Sequence, residues 1–286
     1  PRRMASVTSR SKTASPTSTT TAPCGASDPA TSSSTSSSTC SDSGPWTIPR
    51  SHGAPSSTRC CEATPSRWGE IGLAKIAVAL AGLFDGDSPR EFGAAVDGFL
   101  ERYRHPDLHV PVASLVYQPM LELIDELRAH DFTVGIVTGG GTEFVRRVSG
   151  PLYGVPAHLV VGTLIGYQFD RDDHGQPALR RTVSLMGQVN EGASKVEHIQ
   201  SQLGRAPIVA AGNTGGDREM LEWANAGPYP GLAVLIDHDD DEREYAYEGE
   251  AATFADTERI TDVAARQGWA VVSMRNDWST VFRSAD

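Results

Sequence analysis

No leucine occurs before Leu73 in this 286-residue chain, and residues 1–66 contain only four large apolar residues, Met4, Val7, Trp46 and Ile48. The same stretch holds 18 Ser and 12 Thr. A segment so poor in apolar side chains buries too little surface to offset the entropy of ordering its backbone, so residues 1–67 are expected to be disordered. The fold then has to come from residues 68–286. Four readings fit the composition of the leading segment: a solvated tail, a transit-type peptide, an O-glycosylated stalk, or a stretch translated in the wrong frame from a GC-rich gene. All four cysteines (Cys24, Cys40, Cys60 and Cys61) lie there. Their irregular spacing, without a Cys-x-x-Cys, argues against a disulfide framework or a metal knuckle.

The net charge of -11 speaks against a general nucleic-acid binder, and the segment carries six Arg/Lys against three Asp/Glu, so the remainder is more acidic still. No run approaches the roughly 18 apolar residues of a membrane span, and no charged-then-apolar leader opens the chain. The expectation is a cytoplasmic protein acting on a small molecule, without nucleic-acid or membrane partners.

Downstream, helix and strand patterns alternate. Residues 71–84 form a short apolar helix. The next helix opens on Ser88 as N-cap, Pro89 at the first position and Glu91 three residues after the cap. Its face is Phe92, Val96, Phe99, Leu100 and Tyr103. Pro119 starts another helix, running to about His130, and the strand 132–137 follows, closed by Thr138-Gly139-Gly140-Gly141 before a helix from Thr142. Then come a strand over 158–163, a hairpin (164–169 and 178–183), a helix over 193–203 and a strand over 207–211. A helix over 217–224, a strand over 232–236, a helix near 256–267 and a strand over 269–273 complete the series. Such alternation predicts an α/β fold, a mostly parallel sheet between two helical layers, with ligands bound at the carboxyl ends of the strands.

Three strand-end features carry chemistry. Thr138, with Gly139 and Gly140 behind it, offers a hydroxyl and backbone N–H groups to an anion such as phosphate; a plain helix cap is the alternative. Gly212-Asn213-Thr214-Gly215-Gly216-Asp217 follows a strand directly, and the oxygens of Asn213 and Asp217 suit a hard cation; a loop with a capping Asp is the alternative. Lys195 opens the helix leading into that strand, where a surface lysine is the plain reading. Asp237–Glu242 reads as a solvated acidic loop opening a helix at a strand end, within reach of the site's rim, with a cation site as the alternative; Arg146 and Arg147 read as surface residues, with a phosphate contact as the alternative.

Taken in order, Thr138 in VTGGG, Lys195, and Asn213 with Asp217 in GNTGGDREML resemble the second, third and fourth motifs of the haloacid dehalogenase superfamily, in particular its phosphoserine-phosphatase-like branch. The resemblance spans about residues 68–284. It implies a three-layer α/β/α Rossmann-like fold, with a helical cap at 68–115 and a core at 116–286. It further implies Mg²⁺-dependent hydrolysis of a small phosphorylated metabolite through a phosphoaspartyl intermediate. Thr138, Gly139 and Gly140 would hold the phosphate, Lys195 would balance its charge, and Asn213 and Asp217 would serve the metal.

The family's first motif, a strand ending in Asp-x-Asp-Gly-Thr, is missing: Asp28 and Asp42 are the only aspartates among residues 1–70, and neither stands in that pattern. A frame slip accounts for this. Codons for Phe-Asp-Asn-Asp-Gly-Thr-Leu-Trp (TTC GAC AAC GAC GGC ACC CTG TGG), read one nucleotide late, give Ser-Thr-Thr-Thr-Ala-Pro-Cys-Gly, the sequence of residues 18–25. Residues 26–29 continue the match as Cys-Glu-Arg-Pro. The chain as written is therefore expected to lack nucleophile, acid/base and central strand, and to be inactive. The other reading is a non-catalytic phosphate-ligand-binding protein that retains the core.

Overall fold

The structure, a computed structural model, describes residues 73–247, 249 and 258–283, together with the backbone of residues 3–7. A six-stranded, all-parallel sheet forms the centre, with strand order β3-β2-β1-β6-β7-β8. These strands are β1 (Arg3–Val7), β2 (Phe132–Gly141), β3 (Val160–Thr163), β6 (Val209–Gly212), β7 (Leu232–Asp237) and β8 (Ala270–Ser273). The antiparallel hairpin of β4 (Ile165–Arg171) and β5 (Pro177–Leu185) forms a separate ribbon where the sequence predicts one.

Alternate residues of each strand face opposite cores, as a strand's period of two requires. Val134 and Ile136, Val209 and Ala211, and Val234 and Ile236 enter one core with α3 (Gln118–Ala129) and α4 (Thr142–Tyr153). Val137, Ala210, Ala233 and Leu235 enter the other with α5 (Ala193–Leu203), α6 (Arg218–Asn225) and α7 (Ile260–Gln267). A last short helix, α8 (Met274–Asp277), brings Met274 into the first core. Helices thus cover both faces, the three-layer arrangement predicted.

The helical module is α1 (Leu73–Gly82) and α2 (Pro89–Arg102). The capping box at Ser88 and Glu91 forms as read from the sequence. Phe92 and Val96 of α2 pack on Val148 of α4, and Arg147 ion-pairs with Asp97. The hairpin joins the same unit: Arg181 exchanges backbone hydrogen bonds with Gly86 and Asp87, and its buried guanidinium lies 3.9 Å over the Phe92 ring while pairing with Glu143. Among the described residues no helix is long and apolar enough to cross a membrane.

One difference from expectation lies at the centre. Arg3–Val7, inside the segment expected to be disordered, forms β1, flanked by β2 and β6. The physical reason is the open slot. Two parallel strands held apart by one strand width present rows of backbone donors and acceptors that need partners. RMASV carries two of the four large apolar residues of its segment. The remaining residues of 1–67 lie outside those described. Proline at position 6 tests the pairing. Ser6→Pro removes a ladder donor from a central strand, and should lower stability to urea by about 2 kcal/mol or more.

Candidate functional site

In the sheet order, β1 has β2 on one side and β6 on the other, so the chain crosses over in opposite directions from it. At such a switch point the loops after neighbouring strands diverge and leave a crevice at their carboxyl ends. The three sequence features gather there.

The loop after β6 is the tightest part. Asp217, 1% exposed, receives the Lys195 ammonium on Oδ1 at 2.5 Å. Its Oδ2 accepts from the backbone N–H groups of Asn213 (2.9 Å) and Thr214 (3.1 Å). Burial pushes the Asp217 carboxyl up, but Lys195 and these N–H groups outweigh it and hold the group below the usual carboxylate range. Gly212 permits this closeness, since a Cβ there would stand 2.5 Å from that of Asp217. Lys195, itself 2% exposed, is thus far from a surface lysine.

Thr138 sits at a bulge of β2, where the pairing with β3 shifts register between Val137 and Gly141. Its hydroxyl accepts from the Gly140 N–H at 3.1 Å and keeps its own proton to donate. The expectation that Gly140 offers this N–H to a ligand is therefore modified, because Thr138 takes it first. Arg146 and Arg147 point elsewhere: Arg146 donates to the Ala157 carbonyl and Arg147 pairs with Asp97.

Residues 190–192, which sequence reasoning passed over, staple the two loops together. Asn190, fully buried, donates from Nδ2 to the Thr138 carbonyl at 2.8 Å and from its backbone to Thr163 Oγ1 at 3.0 Å. Thr163 in turn donates to the Gly139 carbonyl. The Gly192 N–H donates to the Gly216 carbonyl at 2.9 Å. Between them the Glu191 carboxylate lies against Gly139 and Gly216, where any Cβ would collide with it. The glycines of both motifs are explained by this approach as well as by their turns.

The run Asp237–Glu242 also departs from its sequence reading. His238 and Asp240 are 5% and 2% exposed and fold into the site wall, while Asp241 and Glu242 stay exposed as a solvated loop would. Asp240 accepts from the backbone N–H groups of Glu242 and Arg243, and the Arg243 guanidinium donates to the carbonyls of Met274 and Trp278, each at 2.7 Å. A cavity of about 280 Å³ opens between this loop and the helical module, lined by Leu108, Tyr117, Phe144, His238 and Trp278, with Asn213 on its wall.

The arrangement offers a hydroxyl donor on β2 and side-chain oxygens after β6, on either side of β1, with the buried Lys195 ammonium paired to Asp217. Asn213 Oδ1 is buried without a hydrogen-bond partner among the described residues, an atom that could serve a cation. Among the described residues no three His, Cys, Asp or Glu side chains converge as a ready-made metal cluster.

Comparison with known proteins agrees in kind. No curated protein matches the sequence. Among solved structures the chain is similar to a protein of unknown function from Bordetella pertussis Tohama I, at 17% identity over 72% of this chain and 78% of that one, with a TM-score of 0.49. It is similar to a HAD family hydrolase from Salmonella enterica subsp. enterica serovar Typhi, at 16% identity over 66% of this chain and 55% of that one, TM-score 0.38. A substrate-bound phosphoserine phosphatase is similar at 17% identity over 70% and 79%, TM-score 0.34. The profile of haloacid dehalogenase-like hydrolases matches residues 50–222, more than half of the chain, including Thr138, Lys195, Asn213 and Asp217. The chain belongs to the haloacid dehalogenase-like hydrolase family.

Proposed function

We propose that this protein derives from a Mg²⁺-dependent phosphomonoester hydrolase of the phosphoserine-phosphatase-like kind, and that the chain as written binds phosphate without turning it over. The observation that carries the reading is the site's asymmetry. Thr138, Lys195, Asn213 and Asp217 surround the carboxyl end of β1, yet β1 is followed in sequence by Thr8 and no acid until Asp28. Groups that would steady a phosphate are present among the described residues, and the acid that would attack it does not follow β1 in sequence.

The physical roles follow from charge. A phosphate dianion repels a carboxylate nucleophile unless cations neutralise both. Lys195 supplies one positive charge, already oriented by Asp217. Asn213 and Asp217 would hold Mg²⁺, which would supply further neutralisation of the phosphate charge. Thr138 donates its hydroxyl proton to a phosphate oxygen, and the backbone of Gly139 lines the same cradle. The missing Asp-x-Asp would provide the rest: one carboxylate forms the bond to phosphorus as the ester P–O bond breaks, and the other protonates the departing oxygen. The helical module at 68–115, with the hairpin, serves as cap over the core at 116–286. The cavity beside Asn213 is sized for the organic part of a small phosphorylated metabolite.

The frame slip at residues 18–29 accounts for the loss, and sequencing the locus tests it directly: the preceding frame must encode Asp-x-Asp at these codons. The binding half of the proposal is tested on the chain itself. Thr138→Val keeps the shape and removes one hydrogen bond to an anion. The affinity for inorganic phosphate, measured by calorimetry, should fall about tenfold. Unchanged affinity would remove Thr138 from the cradle. Turnover of an aryl phosphate by the chain as written would refute the inactive reading.

A further inference from the structure

Asn213 is an amide where a carboxylate would present oxygen in either orientation, so something must decide which of its two ends faces the crevice. The structure holds a chain of hydrogen bonds that does so. Glu244, whose side chain is 6% exposed, lies 3.3 Å through Oε2 from Nδ1 of the buried His238, and its Oε1 accepts from the Tyr117 hydroxyl at 3.1 Å. Burial and the Glu244 charge push the Tyr117 phenol up, so it remains a donor. An ionised carboxylate only accepts. The Nδ1–Glu244 contact matches the His238 tautomer with its proton on Nδ1, which leaves Nε2 as an acceptor. Nε2 stands 3.4 Å from Asn213 Nδ2, and Nδ2 also donates to the Tyr247 hydroxyl at 2.6 Å. Both amide hydrogens are thereby directed to the His238–Tyr247 side, and Oδ1 is left facing away from it, buried and without a described partner.

The parts of this chain are held firmly. The His238 and Tyr247 rings stack with centroids 4.4 Å apart, and the Tyr247 N–H donates to the His238 carbonyl at 3.0 Å. Tyr117 stacks on Phe282, and Arg243 pins the loop to Met274 and Trp278.

We infer that Glu244, His238 and Tyr247 are positioning residues that set the Asn213 amide with its oxygen toward the crevice, making Asn213 a ligand for a hard divalent cation. The inference rests on the reading of Asn213 as a metal ligand and adds how an asparagine is made to serve there. Outer partners of this kind govern metal affinity without touching the ion.

The test uses Glu244→Gln, which keeps size and shape but supplies a side-chain donor. His238 should then move its proton to Nε2, visible in its ¹⁵N ring shifts, and the Asn213 amide should turn its oxygen toward the histidine. Mn²⁺ affinity of the full chain, followed by water-proton relaxation, should fall about tenfold. In an Asn213→Asp background, which has no amide to orient, the same substitution should leave Mn²⁺ affinity unchanged. A Glu244→Gln chain that binds Mn²⁺ as the unaltered one does overturns the inference while leaving the metal site standing. So does an equal loss in the Asn213→Asp background, which would mark a merely structural effect. An unaltered chain that binds no Mn²⁺ overturns the metal-site reading and this inference together.

Discussion

Expressed from a gene whose upstream frame is restored, so that residues 18–25 read Phe-Asp-Asn-Asp-Gly-Thr-Leu-Trp, the protein will hydrolyse p-nitrophenyl phosphate in Mg²⁺. The chain as written will stay at background. The gap should be on the order of 10⁴-fold or more, because removing a covalent nucleophile abolishes the step on which the other groups act. The structure adds a conformational requirement. A nucleophile must stand at the carboxyl end of the central strand, but Arg3–Val7, which fills that slot here, ends well upstream of Ser18. The restored frame no longer encodes Arg3–Val7, so the strand that carries the motif takes the slot. Equal, low turnover by both chains would sink the frame-slip account.

What the sequence made legible was local. Ser88-Pro89 with Glu91 announces a helix start because cap, φ restraint and side-chain return all act within one turn, and the capping box is found there. The hairpin and the alternation of strands with helices follow from periodicity, as does the placement of Asn213 just past a strand; Thr138, expected just past its strand, lies inside it, because β2 runs on through the glycines to Gly141. β1 was illegible because its residues have no strand pattern of their own; the slot between β2 and β6 selects them. Asp240 and His238 were misread for a related reason. A run of acids resembles a solvated loop until Arg243 and Glu244 fold back on it. The Tyr117–Glu244 hydrogen bond joins residues 127 positions apart, and Asn190 reaches Thr138 across 52. No window of sequence contains such pairs.

Lys195→Met should destabilise the fold by about 3–5 kcal/mol at neutral pH, the cost of leaving a buried charge without its partner. Asp217 is 1% exposed, and its backbone donors cannot replace a full positive charge. Asp217→Asn should cost a similar amount by stranding the ammonium. The double variant Lys195→Met/Asp217→Asn should recover most of the loss, since it removes both charges and keeps the volumes; urea titration of the four chains measures the coupling. The pH dependence carries the sign. In the unaltered chain the Asp217 carboxyl lies below its ordinary value of 3.8, so the folded state binds fewer protons than the unfolded. Its contribution is present above that value and is lost as the pH falls through the folded one. With Lys195 removed, burial drives the carboxyl up, the folded state binds more protons, and the variant regains stability on acidification. The difference between the two chains should therefore be widest near neutrality and shrink toward pH ~4. A difference that stays constant over this range would mean that Lys195 acts by packing its stem, and would leave its charge available only for a phosphate.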